Sequence, residues 1–130
     1  MQIGLRSWPL ITVLAISLML AGCIRPVQKS DAAGQFSLNK GGRPNTLDIN
    51  ADGTYRLTCQ QQDGTQYRHE GRWEFRREDG ESRITFDEFI FCDSPSSTKP
   101  AYWDVAIQRS WNGQIRMAVS LDRDEYYIKR

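Results

Sequence analysis

The chain has 130 residues, of which 39% are hydrophobic, 25% charged and 11% aromatic, with a formal net charge of +1. That length holds one domain rather than two, and the composition excludes a disordered or fibrous chain. Of 17 basic and 16 acidic side chains only Arg6 falls within residues 1–22, so the rest of the chain is electrically balanced. Nothing in such a surface steers the protein to nucleic acid, and no nucleic-acid partner is expected.

The first element is an uncharged run. Residues 1–6 carry one charge, Arg6, and residues 7–24 carry none; the centre of the run, LITVLAISLML, is almost wholly apolar. This is the n-region and h-region of an export signal and predicts an N-terminal signal helix. As a plain transmembrane anchor the run sits at the short limit, since about 20 apolar residues are needed to span roughly 30 Å of hydrocarbon. Pro9 also fits a helix interior poorly.

The run ends in Leu20-Ala21-Gly22-Cys23. This resembles the lipobox of bacterial lipoproteins, which reads Leu, a small residue, Gly or Ala, then Cys. The resemblance covers residues 1–23 and implies a lipoprotein signal peptide over 1–22. Cys23 would then be the first residue of the mature protein and carry acyl chains. In Gram-negative lipoproteins an Asp after the cysteine retains the protein at the inner membrane. Here that residue is Ile24, so the resemblance implies the outer membrane, facing the periplasm. Residues 24–33, IRPVQKSDAA, lack periodicity and read as a flexible tether; ten extended residues reach roughly 35 Å.

From Gly34 the period becomes two. Phe36 and Leu38 alternate with polar neighbours, as do Leu47 and Ile49, then Tyr55, Leu57 and Cys59. Tyr67, His69, Gly71, Trp73 and Phe75 form a longer set. Ile84 with Phe86, Phe89 with Phe91, and Trp103, Val105 and Ile107 follow. Ile115, Met117, Val119 and Leu121 come next, and Tyr126 with Ile128 close the chain. Such alternation predicts half-buried strands. Asp52-Gly53, Asp63-Gly64, Asp79-Gly80 and Asn112-Gly113 fall between them and supply the positive φ that tight hairpins need. The reading is an all-β domain over residues 34–130, with about eight antiparallel strands in meander order forming a small barrel or strongly bent sheet.

Cys59 and Cys92 are 33 residues apart, and His69 is the only histidine in the chain. A zinc site needs about four ligands, so a structural disulfide is the expectation in an oxidising compartment. The pairing carries one conflict. Cys59 shares parity with inward Tyr55 and Leu57, whereas Cys92 opposes the parity of Phe89 and Phe91. A strand end or a bulge near Cys92 would reconcile the two.

The candidate chemistry is thin. Asp48, Asn50, Asp52 and Gly53 match positions 1, 3, 5 and 6 of a calcium loop, but position 12 is Cys59 and the flanks alternate as strands, so a hairpin turn is expected and no metal. Asp122, Asp124 and Glu125 read as a solvated turn, and Asp87, Glu88 and Asp93 are acids without visible convergence. His69 has no nucleophile elbow beside it, so no catalytic residue and no cofactor is expected. Most of the large aromatic rings must fill the core. Trp111 differs, because it stands beside the Asn112-Gly113 turn, where a hairpin tip should be exposed. It is the candidate partner contact, unless it packs over the open end of the barrel.

Within residues 46–89, TLDINADGTYRL, GRWEF and RITFDEF are similar to a pattern in small bacterial envelope lipoproteins. These include the lipocalin-like N-terminal barrel of copper-homeostasis and envelope-stress lipoproteins. This resemblance covers about a third of the chain and bears on fold. The Cys-x-x-Cys of that barrel is missing here, so metal sensing is not implied. The membrane-bound lysozyme inhibitors are also small disulfide-bearing β-barrel lipoproteins, but their Ser-Gly-Ala-x-Tyr loop is not present in this chain.

The functional expectation is a lipid-anchored, non-enzymatic envelope protein that binds an envelope protein or a small apolar ligand. The alternative is a periplasmic inhibitor or immunity protein that blocks a hydrolase or toxin. A ligand binder should show an open apolar barrel mouth. An inhibitor should present a rigid polar loop, at residues 93–100 or at the Trp111 hairpin.

Overall fold

The computed structural model describes residues 25–39, 42–92 and 100–130. The signal helix and Cys23 lie outside them. Eight strands, β1 (Gly34–Leu38), β2 (Asn45–Ile49), β3 (Thr54–Gln60), β4 (Gln66–Glu78), β5 (Glu81–Phe89), β6 (Ala101–Arg109), β7 (Ile115–Ser120) and β8 (Glu125–Lys129), close in sequence order into one antiparallel barrel. β1 pairs with β8, so the closure leaves neither as an edge strand.

The period-two pattern works because alternate side chains point inward. Phe36, Leu47, Leu57, Ile84, Phe86 and Met117 are fully buried, and Ile49, Tyr55, Val105, Ile107 and Ile115 nearly so. Three hairpin tips share one design. At residues 50–54, 61–65 and 110–114 the first residue's N–H donates to the fifth residue's carbonyl, and the glycine N–H donates back to the first carbonyl. Gly53, Gly64 and Gly113 hold φ of +94°, +85° and +85°. This is a type I turn followed by a left-handed glycine, which reconciles a tight turn with strand twist. At β4–β5 both Asp79 (φ +51°) and Gly80 (φ +78°) are left-handed, and Glu78 pairs with Glu81 across a two-residue turn.

Three sequence expectations shift. Tyr127, not Tyr126 or Ile128, is the buried residue of β8. The register slips between Ala118 and Ser120, and Asp124 turns left-handed (φ +55°), which resets the parity of the last strand. The Tyr127 hydroxyl donates to Asn45 Oδ1 at 2.7 Å, and Tyr126 lies outside under the Arg116 guanidinium, 4.4 Å from its ring. Phe91 and Leu121 are exposed, because each falls beyond the end of its strand.

Residues 25–33 also differ from a free tether. α1 (Lys29–Ala32) is a single helical turn, and Val27 and Ala32 are buried against the barrel. The turn is tied down on three sides. Ser82 Oγ donates to the Val27 carbonyl at 2.7 Å, Lys129 Nζ donates to the Asp31 carbonyl at 2.8 Å, and Arg109 pairs with the Asp31 carboxylate at 3.2 Å. The barrel therefore has two distinct ends. α1, the β2–β3, β4–β5 and β6–β7 turns and Arg130 lie at one, called here the N-terminal end. Asn39, the β3–β4 and β7–β8 turns, Cys92 and Pro100 lie at the other, the far end.

Candidate functional site at the far rim

The disulfide forms: Cys59 and Cys92 are bonded, with their Cα atoms 6.3 Å apart. The parity conflict is resolved by the end of β5 at Phe89, past which strict alternation no longer governs Cys92. The β5–β6 register shifts in a bulge between Phe86 and Phe89, and Glu88 within it is left-handed at φ +52°. Phe89, at the end of the strand, and Cys92, in the turn beyond it, are both buried, and Phe91 turns out.

The bulge lies on a seam. The β4–β5 ladder runs from Glu78↔Glu81 only as far as Trp73↔Phe86. Beyond it β5 leaves β4, and side chains take over. Tyr55, on β3, lies opposite Gly71 on β4. Its ring covers the glycine so closely that a Cβ there would sit 2.6 Å from Tyr55 Cε1. It passes across β4 and donates its hydroxyl to the Asp87 carbonyl at 2.7 Å. Burial pushes the Tyr55 phenol well above its usual range, and the Glu88 and Asp87 charges add to this, so it stays a donor. His69 Nε2 bonds the Glu88 carbonyl. A carbonyl only accepts, so Nε2 carries the proton. The imidazole is a clamp on the bulge.

These two clamps and the disulfide hold a short exposed segment. Asp87 and Glu88 are consecutive and both exposed, because a bulge breaks the alternation that would hide one of them. With Gly71, Arg72, Pro100, Ala101 and Tyr102 they line a cleft of about 510 Å³. Tyr102 is 64% exposed. Below it the barrel interior is filled with rings: Trp103 stacks on Phe86 at 5.2 Å and meets Phe89 at 4.7 Å and Phe91 at 5.0 Å, and Phe89 meets Phe91 at 4.9 Å. Among the described residues the cleft is a polar, aromatic-edged surface over packed rings.

The other sequence candidates are placed as follows. Trp111 is 99% exposed, at the opposite end of the barrel, and does not pack over it. The residues of the calcium-like pattern are engaged in the β2–β3 turn. Asp52 Oδ1 accepts from the Thr54 hydroxyl at 2.6 Å and from its N–H at 3.0 Å, which holds the carboxyl below its ordinary range. Asp48 faces Gln35. Among the described residues no three His, Cys, Asp or Glu side chains converge as a metal site. Asp93 and residues 94–99 lie outside the described residues. Asp122, Asp124 and Glu125 flank the β7–β8 turn, where Arg123 sits 3.8 Å from Glu125.

Two features escaped the sequence reading. One is Tyr102; its signal was an aromatic immediately before Trp103, on the opposite parity. The other is an ion-pair network on the barrel wall. Asp104 accepts from Arg76 at 2.6 Å and Arg83 at 3.1 Å, and these two also pair with Glu78 and Glu81. Burial alone would raise the Asp104 carboxyl, but the two guanidinium hydrogen bonds outweigh it and hold it below its ordinary range. No pattern signals this, since its members come from three strands.

In comparisons with known proteins the chain matches no family model, no curated protein and no solved structure.

Proposed function

We propose that this is a lipid-anchored protein of the bacterial envelope that works by binding another protein, without catalysis. Cys23 would hold the N-terminal end at the outer membrane, and the cleft of Asp87, Glu88, Arg72 and Tyr102, on the barrel wall at the β4–β5 seam, would stay open to the periplasm. The observation that carries this reading is the clamped bulge. Two carboxylates are held outward beside Tyr102 on a segment fixed by a disulfide, a phenol and an imidazole. Rigid presentation lowers the ordering cost of association. The filled interior favours a protein partner over a small apolar ligand.

The same rigidity supports the inhibitor or immunity reading, in which the bound protein is a hydrolase or toxin and the cleft surface blocks it. One experiment serves both. Crosslinking in intact envelopes with the acylated protein, followed by pull-down, should recover a partner that is lost with Asp87→Asn/Glu88→Gln/Tyr102→Ser. Recovery of the same proteins with that variant would sink the cleft as the contact. The catalytic activity of a recovered partner, assayed with and without the barrel, separates inhibition from simple docking.

A further inference from the structure

We infer that the N-terminal end of the barrel is itself a lipid-contacting surface, with Trp111 seated among the headgroups beside the anchor. The inference rests on the proposed membrane attachment of the N-terminal segment.

Three observations carry it. The first is the length of the leash. Val27 is already packed on the barrel, so Cys23 is separated from a fixed point by four Cα steps of 3.8 Å, about 15 Å at full stretch. A lipid attached at Cys23 therefore keeps this end of the barrel against the membrane; the ten-residue tether expected from the sequence would not.

The second is position. Arg109, which pairs with Asp31, lines a cleft with Arg25, Pro26, Gln28 and Ser30. Trp111 is two residues further along, at the tip of the same hairpin. That tip is stiff. Asn112 Oδ1 accepts from the Gln114 N–H at 3.2 Å and from the Ser110 hydroxyl, and the backbone closes between Ser110 and Gln114 at 2.8 Å. The three turns of this design place Ala51, Gln62 and Trp111 at their equivalent second position. Folding accepts any of these residues there, and a 99% exposed indole contributes nothing to the core. Tryptophan favours the boundary where one side of the ring is wet and the other apolar.

The third is charge. Arg25, Lys29, Arg109 and Lys129 lie on or beside α1, against Asp31. Of the other acids in the turns of this end, Glu78 and Glu81 are paired with Arg76 and Arg83, Asp52 is engaged by Thr54, and Asp79 stands at the β4–β5 tip. A basic margin beside an indole suits anionic headgroups.

The test uses the full chain expressed in a Gram-negative host, purified from membranes and reconstituted in vesicles of phosphatidylethanolamine and phosphatidylglycerol with brominated acyl chains. The fluorescence lost on Trp111→Phe reports position 111. A second variant, Trp111→Phe with Leu121→Trp, moves the reporter to the far end, where Leu121 is 74% exposed. Brominated lipid should quench the Trp111 signal by about half and the position-121 signal by under about a tenth, as expected of a headgroup-level indole. Equal quenching at both positions would overturn the proposal. So would a Trp111 signal that stays open to aqueous acrylamide on vesicles and is shielded only when envelope proteins are added. Fatty-acid labelling of Cys23 is read separately. Quenching without label supports the contact while removing the lipid-anchor reading; label without quenching overturns the contact and leaves the anchor.

Discussion

β4 and β5 meet in two ways along one seam. Over residues 73–78 the strands are zipped by backbone pairs from Trp73↔Phe86 to Glu78↔Glu81. Over residues 66–72 the ladder is missing among the described residues, and the strands are joined by Tyr55, His69 and Cys59–Cys92. Backbone pairing uses groups every residue has and tolerates many sequences. Side-chain bridging depends on a few particular residues, so it concentrates sensitivity at single positions. It also frees β5 from the pleat, which is what allows Asp87 and Glu88 both to face water.

The largest break in this contrast should come from the disulfide. Cys59→Ala/Cys92→Ala should lose about 3–4 kcal/mol in denaturant unfolding, by the chain-entropy account of a loop this long. Hydrogen exchange should rise over residues 87–92 and stay near wild type over 81–86; a uniform rise would erase the distinction between the two halves. Gly71→Ala comes next. Its Cβ would meet the Tyr55 ring at 2.6 Å, in a core too full to yield, so a loss of about 1–3 kcal/mol is expected. Tyr55→Phe keeps the packing but leaves the Asp87 carbonyl without its donor, and should cost about 1–2 kcal/mol.

On the zipped side effects should be smaller. Asp104→Asn should cost roughly 0.2–1 kcal/mol at neutral pH, as for partly exposed ion pairs. Its pH dependence has a definite sign. The folded carboxyl titrates below its ordinary 3.8, so its contribution is full above that value and fades as pH falls through the lowered one. Wild type and variant should therefore converge in stability in acid below pH 3.8, measured by thermal unfolding across pH. The smallest effect is expected at Trp111→Ser, within about 0.5 kcal/mol in unfolding, since the side chain is outside the fold altogether.

Much of the barrel was legible residue by residue. Tyr55, Leu57 and Cys59 had to face one way because side chains alternate on a strand, and the Asp-Gly and Asn-Gly pairs had to turn because only such residues tolerate a left-handed backbone cheaply. The end of the chain was not legible. Tyr126, Tyr127 and Ile128 are consecutive apolar residues, and alternation cannot choose between two registers when both faces look alike; the slip at Ala118 and Ser120 decided for Tyr127. The cleft was half legible. Cys92 on the wrong parity signalled a strand end or a bulge, and β5 does end at Phe89, but Asp87, Glu88, Arg72 and Tyr102 come from three strands and are gathered only by closure.

The amino-acid sequence by itself determined the strand class, most turn positions and the inward face of seven strands, and it raised the expectation that Cys59 pairs with Cys92. Each of these follows from local backbone geometry or from the small number of cysteines available. Tertiary structure alone decided that residues 25–33 pack against one end of the barrel, that Tyr55 crosses Gly71 to reach β5, and that Arg72, Asp87, Glu88 and Tyr102 gather over the β4–β5 seam. These depend on barrel closure, which brings distant residues together at a spacing that no local pattern records.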